Sequence, residues 1–264
     1  MKLKIGIFDS GIGGFTILNS LLKTRNDVEV FYLADTKRIP YGNKSFNQIR
    51  YIAQEICTWF EEKNLDALLI ACNTTNACAL DILENNLKIP CFDLINSVSE
   101  IINEGIIGVI ATPATIKSSY YKKVMGCKNK KLKIFQQECP EFVSEIERNN
   151  LNLDKINYLS DLYLGPLLKE NIQQLILGCS HYPLIADILR DKVKTNVKII
   201  DPSEALIKNF NNVFLIPKNS HVESISYSNV KFFVTSDKEN FSHKVKNWLE
   251  INKEISLVNL RSND

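Results

Sequence analysis

The sequence predicts an α/β protein of two similar lobes, each a mostly parallel sheet between helix layers (three layers, αβα), related by pseudo-twofold symmetry. Three observations predict it. Short apolar runs alternate with segments of helical spacing from residue 4 onward, the rhythm of strand–helix–strand units. Four of those runs stop at clusters of small polar or nucleophilic side chains, where open parallel sheets receive ligands. A third observation is an internal match. Leu69-Ile70-Ala71-Cys72-Asn73-Thr74 leads to Asp81-Ile82-Leu83 and a strand at 89–94, while Leu175-Ile176-Leu177-Gly178-Cys179-Ser180-His181 leads to Asp187-Ile188-Leu189 and a strand at 197–201. The cysteine precedes its Asp-Ile-Leu by nine residues in one copy and eight in the other, which points to duplication.

Taken in order, residues 4–8 read as a buried strand running into a glycine-rich turn, Asp9-Ser10-Gly11-Ile12-Gly13-Gly14. Helical spacing follows at Phe15, Leu18, Leu21 and Leu22, and residues 28–33 form the next strand. Ser45 and Gln48 fit a capping box ahead of the stripe Ile49, Ile52, Ala53, Ile56, Cys57 and Phe60. Residues 67–71 are a short strand ending at Cys72. In the second half, strands are expected at 107–110, 132–136 and 175–177, with a helix over 115–121. After Pro202 come a helix (204–210), a strand (230–234) and a closing helix (241–249) with Phe241, Val245 and Leu249 on one stripe. This tail is expected to return to the first lobe, giving one lobe of residues 1–96 plus 206–264 and another of 97–205, with 261–264 frayed.

Composition narrows the class. Hydrophobic residues make up 45% and charged residues 23% of 264, and net charge is +2. That is a soluble globular profile without the electrostatic footprint of a nucleic-acid binder. The basic run 128–133 is short and reads as a solvated loop. No segment reads as a membrane span or signal peptide. Seven cysteines, an odd number without a CxxC pair, argue against a disulfide framework or a structural zinc site and for a reducing, cytoplasmic setting.

Candidate chemistry sits at the four strand ends: Asp9-Ser10, Cys72-Asn73-Thr74, residues 112–115, and Cys179-Ser180-His181. The glycine turn lacks the third glycine of a dinucleotide fingerprint, having Thr16 there, and has no P-loop lysine. Its N–H groups still suit an anion. A cysteine between strand end and helix start lies in a field that lowers a thiol from ~8.5. One thiolate can remove a proton while a second thiol delivers one from the opposite face, inverting a stereocentre without a cofactor. Asp9 could serve Cys72, and Glu147 and His181 could serve Cys179. Plainer readings stand beside these. Cys57, Cys78, Cys91 and Cys127 read as small buried hydrophobes, and Cys139 as packing. Asp9, Ser10 and His181 could be helix caps, His221 and His243 surface residues, and Glu147 a solvated helix charge.

At these residues the chain resembles the bacterial glutamate racemases of the aspartate/glutamate racemase superfamily. The matching stretches are Ile7-Phe8-Asp9-Ser10-Gly11-Ile12-Gly13-Gly14, residues 35–42 ending in Pro40-Tyr41-Gly42, Ala71-Cys72-Asn73-Thr74, Ala114-Thr115-Ile116-Lys117-Ser118, Cys139-Pro140 and Gly178-Cys179-Ser180-His181-Tyr182-Pro183. The resemblance implies two lobes closing on glutamate, no pyridoxal phosphate, metal or nucleotide, a homodimer, and D-glutamate made for peptidoglycan. It implies that Cys72 deprotonates D-glutamate and Cys179 L-glutamate, with Asp9 assisting the first and His181 and Glu147 the second. Asp9, Ser10, Tyr41, Gly42, Asn73, Thr74, Thr115, Ser180 and His181 would hold the amino acid, largely through hydroxyls and backbone N–H groups. Ser180 departs from the family's usual threonine, keeping the hydroxyl, and Asn76 stands where small residues are usual. Three alternatives remain at this level: an aspartate racemase, a two-lobed anion-binding protein without chemistry, and a cysteine hydrolase built on Cys179 and His181.

Overall fold

A computed structural model describes residues 2–217 and 222–260. The first part of the chain runs β1 (Leu3–Asp9), α1 (Phe15–Thr24), β2 (Val28–Ala34), α2 (Phe46–Glu61), β3 (Ala67–Ile70), α3 (Asn73–Asn86), β4 (Cys91–Asp93) and α4 (Leu94–Ile101). The second part runs β5 (Ile106–Ala111), α5 (Pro113–Ser118), α6 (Tyr120–Lys128), β6 (Lys133–Glu138), α7 (Phe142–Ile146), α8 (Leu153–Lys169), β7 (Gln174–Gly178), α9 (Ala186–Lys192), β8 (Lys198–Ile200) and α10 (Pro202–Val213). The tail is β9 (Val230–Val234), α11 (Lys238–Leu249) and β10 (Ile255–Leu257). Among the described residues no helix is long and apolar enough to cross a membrane.

Two sheets form, both parallel throughout. Their orders are β10-β9-β2-β1-β3-β4 and β6-β5-β7-β8. The arrangement β2-β1-β3-β4 in the first is repeated by β6-β5-β7-β8 in the second, so the internal match in sequence has a counterpart in topology. In each unit the connections reverse direction beside the first strand. The crevice beyond the carboxyl ends of β1 and β3, and of β5 and β7, is therefore where ligands bind in open α/β sheets. Asp9, Cys72, Thr112 and Cys179 stand at those four ends.

The pleat explains the layers. Successive β1 side chains point to opposite faces. Ile5 and Ile7 join Phe15, Leu18 and Leu21 of α1 and Phe241 and Val245 of α11, while Phe8 joins Ile52, Ile56 and Phe60 of α2. The Ser45–Gln48 capping box starts α2, with both reciprocal bonds present. Phe241, Val245 and Leu249 are buried along α11, each contributing about 1.5–3 kcal/mol. That burial holds α11 beside α1 and so sets the direction of its other side chains.

Some expected elements differ. The helix expected over 115–121 is two helices, because Ser119 takes a left-handed conformation (φ 56°) that ends α5. The strand expected at 89–94 stops at Asp93, whose carboxylate accepts from Asn96 N–H at 2.8 Å and caps α4. Helix α8 and strand β10 lie outside the sequence reading. Residues 261–264 lie outside the described residues.

Candidate active site

Four loops converge, one from each of the strand ends named above. Asp9 is fully buried, and its Oδ2 accepts from Gly11 N–H at 2.9 Å. Its other oxygen, Oδ1, accepts from the Ser180 hydroxyl at 2.8 Å. The carboxylate of one sheet is thus bonded to the residue beside the cysteine of the other. Thr74 and Thr112 hydroxyls lie 2.9 Å apart, and Thr112 and Thr115 hydroxyls 3.0 Å apart, again joining the two halves. Tyr121 donates to Asn73 Oδ1 at 2.8 Å.

Gly13 shows how close the approach is. A Cβ there would lie 2.4 Å from Ser180 Oγ and 2.6 Å from His181 Nδ1. At Gly11 a Cβ would lie 2.0 Å from Glu147 Oε1. Glycine in this turn serves contact between the halves, in place of the nucleotide binding already discounted.

The two thiols differ in setting. Cys72 occupies the N-cap position of α3 without capping it by its side chain, and is 3% exposed. Burial, reinforced by the Asp9 charge, pushes this thiol up to about 12. The N–H and hydroxyl of Thr75 oppose the rise, and that hydroxyl makes no full hydrogen bond elsewhere. The expected lowering by the helix start is thus overturned: desolvation outweighs the field of the first turn. Cys72 rests as a thiol near neutral pH.

Cys179 is 5% exposed and follows β7. A 3₁₀ turn, Tyr182–Ile185, comes before α9 here, with Pro183 in it. His181 Nδ1 lies 3.9 Å from the Cys179 sulfur, and His181 Nε2 lies 2.6 Å from Glu147 Oε1. Burial disfavours the imidazolium, but the bonds to Cys179 and Glu147 outweigh it and raise His181 well above the usual histidine value. Burial would likewise raise Glu147, yet the His181 bond and charge and the Lys244 charge outweigh it and hold this carboxyl at about 2. Asp9 goes the other way: burial raises it, against the opposing influence of His181, Gly11 N–H and Ser180. The arrangement supplies two buried sulfurs, each with its own titratable neighbour of shifted affinity for protons.

Several plain readings are corrected. Glu147 is not a solvated helix charge. It caps the end of α7 and accepts from Ile12 N–H at 3.0 Å, from His181 and from Lys244. Asp9 and Ser10 do not cap α1, whose N-cap is Gly14 without a side-chain bond. His181 makes no capping bond either. Cys57 and Cys78 are buried as read, but Cys91 is half-buried and Cys127 exposed. All seven cysteines are free thiols. Cys139 is buried in the core. His243 is exposed, and His221 lies outside the described residues.

The Tyr41 hydroxyl is spent on buried Asp35, which also accepts from Arg38 and Thr235, and Gly42 abuts the Thr112 side chain. Asn76 is a structural pin. Its amide donates to Ile70 O (2.9 Å) and Cys72 O (2.7 Å), and its oxygen accepts from Leu94 N–H (2.6 Å). Sequence reasoning missed Thr75, Tyr121 and Lys244. Lys244 had only one signal, its position next to the buried Val245 of α11.

The profile of the Asp/Glu/hydantoin racemase family matches residues 16–209. The chain is similar to the glutamate racemase of Prochlorococcus marinus (strain NATL1A), 47% identical over 261 residues and covering 98% of each chain. Among solved structures it is similar to a glutamate racemase from Francisella tularensis in complex with D-glutamate, with a TM-score of 0.88, 32% identity and 98% of each chain covered. The glutamate racemase isoform RacE1 from Bacillus anthracis superposes with a TM-score of 0.88 at 28% identity, also over 98% of each chain.

Proposed function

The chain belongs to the Asp/Glu/hydantoin racemase family, is an amino-acid racemase, and, we propose, interconverts L- and D-glutamate by a two-base mechanism at Cys72 and Cys179. The observation that carries this reading is the pair of buried thiols at equivalent strand ends, Cys179 3.9 Å from His181 and Cys72 in the field of the Asp9 carboxyl. The names of the similar proteins support glutamate as the substrate.

In the L-to-D direction Cys179, as thiolate, removes the α-proton while His181 carries the proton released from that sulfur. Glu147 keeps the imidazolium paired. Cys72, resting as a thiol, delivers its proton to the opposite face of the carbanion, and protonated Asp9, whose proton affinity is raised by burial, returns a proton to the thiolate left there. The D-to-L direction reverses the roles, with Cys72 losing its proton first and Asp9 helping to accept it. No pyridoxal phosphate, metal or nucleotide takes part in this scheme. The two lobes, residues 1–96 with 206–264 and residues 97–205, close over the amino acid. Asn73 supports substrate binding, since its amide nitrogen is buried without a partner and is free to donate. Ser10, Thr74, Thr115, Ser180 and the backbone at Tyr41 and Gly42 complete the binding surface. The protein acts in the cytoplasm as a homodimer and supplies D-glutamate for peptidoglycan.

The test is incubation with L-glutamate in D₂O, following circular dichroism and deuterium at Cα together. Loss of optical activity with solvent deuterium at Cα, abolished in both Cys72→Ala and Cys179→Ala, is the expected result. Faster turnover of aspartate would replace the substrate. No exchange with either amino acid from folded protein would leave only a binding role.

A further inference from the structure

Lys244 projects from α11, an element of the six-stranded half, onto a carboxylate of the other half. Its Nζ donates to Glu147 Oε2 at 2.5 Å, and both side chains are nearly buried, 11% and 12% exposed. The other Glu147 oxygen faces His181 Nε2 at 2.6 Å and accepts from Ile12 N–H at 3.0 Å. Glu147 is therefore gripped from three elements: α11, the glycine turn after β1, and the loop after β7.

We propose that Lys244 is a positioning residue for the second thiol, holding the Glu147 carboxylate so that the His181 imidazole stays aimed at the Cys179 sulfur. This rests on the racemase reading of the site. The argument is geometric. A carboxylate with a bond to His181 on one oxygen and nothing on the other can rotate about its stem. A charge-assisted bond on Oε2 removes that freedom. Lys244 does not belong to the cluster that would contact the amino acid, so its effect passes through Glu147 and His181.

The electrostatic consequence has a definite sign. Asp9, Cys179 and Glu147 face His181, with Lys244 behind Glu147, and Cys72 and Tyr32 are further neighbours of Asp9 and Glu147. Lys244 is the one cation among these groups apart from His181 itself. Its loss leaves the carboxylate less neutralised, favours the imidazolium, and moves any alkaline limb governed by His181 to higher pH.

The experiment compares wild type, Lys244→Met and Lys244→Arg by pH–rate profiles with both glutamate enantiomers, and titrates His181 by NMR in the absence of substrate. L- and D-glutamate have equal free energy, so kcat/KM must fall equally in both directions. We expect Lys244→Met to lower kcat about tenfold with KM little changed, to shift the alkaline limb upward, and to raise the His181 titration midpoint. Lys244→Arg should recover most of kcat and the wild-type titration. A folded Lys244→Met with unchanged His181 titration and pH profile overturns the proposal, whatever its activity. If Lys244→Met does not fold, Lys244→Gln supplies the same readout. The NMR titration needs no turnover, so a wild type inactive with glutamate would sink the racemase reading separately.

Discussion

Cys72 and Cys179 end equivalent strands, β3 and β7, yet the groups behind the two sulfurs have diverged. In the field of Asp9 lies Cys72; that carboxyl is buried and raised by desolvation, and among the described residues it accepts from the Gly11 N–H and the Ser180 hydroxyl. Behind Cys179 stands a chain of alternating charge, His181–Glu147–Lys244, in which the carboxyl is held at about 2. The chain entering the next helix differs too. Cys72 leads directly into α3, whereas Cys179 is followed by a 3₁₀ turn. The repeated strand order supplies matched positions for two thiols. In the proposed scheme the differing neighbours give one side a carboxyl and the other an imidazole with which to accept protons. A two-base racemase needs opposed bases of similar effectiveness at the same pH, and under the proposed mechanism this pair would meet that need without being built alike.

The largest test of that symmetry is removal of each sulfur. Cys72→Ala and Cys179→Ala should each lower racemisation by more than about 10³-fold, since either half-reaction then lacks its acid or base. Measuring Cα deuterium uptake separately from each enantiomer breaks the comparison if one variant retains near-normal racemisation.

Stability against acid should separate the two carboxyls. Glu147 lies at about 2 when folded against 4.5 ordinarily, so its contribution, on the order of 3 kcal/mol, is present above pH 4.5 and lost as pH falls towards 2. Asp9, raised in the fold, has the opposite sign: its ionisation weakens the folded state as pH rises above 3.8. Urea unfolding from pH 2 to 7 should therefore flatten on the acid side in Glu147→Gln, and gain stability towards pH 7 in Asp9→Asn. Parallel curves for the two variants would mean that their environments are alike after all.

In turnover both substitutions should cost about 10²-fold, but with different pH signatures. Glu147→Gln removes the anion that supports the His181 imidazolium, so the alkaline limb moves to lower pH. Asp9→Asn leaves His181 its Glu147 partner and should chiefly erase the limb governed by Asp9. Identical profiles in the two variants would refute the division of labour.

The smallest effect tests the contact between the halves. Gly13→Ala drives a methyl towards Ser180 and His181, including a Ser180 backbone carbon at 2.8 Å. It should destabilise by about 1–3 kcal/mol and impair the Cys179 side more than the Cys72 side, visible as a larger shift in His181 NMR resonances than in Thr75 resonances.

By itself the sequence determined the strand–helix rhythm, the repeated unit and the positions of both cysteines at strand ends. Those features are local: apolar period and run length, a capping box at Ser45, and glycine where the chain turns. It also carried motifs whose resemblance pointed to Asp9, His181 and Glu147. Only the tertiary structure decided what touches what. Glu147 read from its own neighbours is a surface charge, because Ile12, His181 and Lys244, which bury it, lie 135, 34 and 97 residues away. The same holds for the Cys72 thiol. A strand end and helix start lower a thiol in isolation, but desolvation beside Asp9 raises it, and burial depends on the whole fold. The polar atoms of Tyr41 and Asn76 lay beyond a reading of neighbours for this reason also, since Asp35 and Leu94 engage them. Periodicity is written in neighbouring residues, whereas proton affinity is set by groups that only folding brings together.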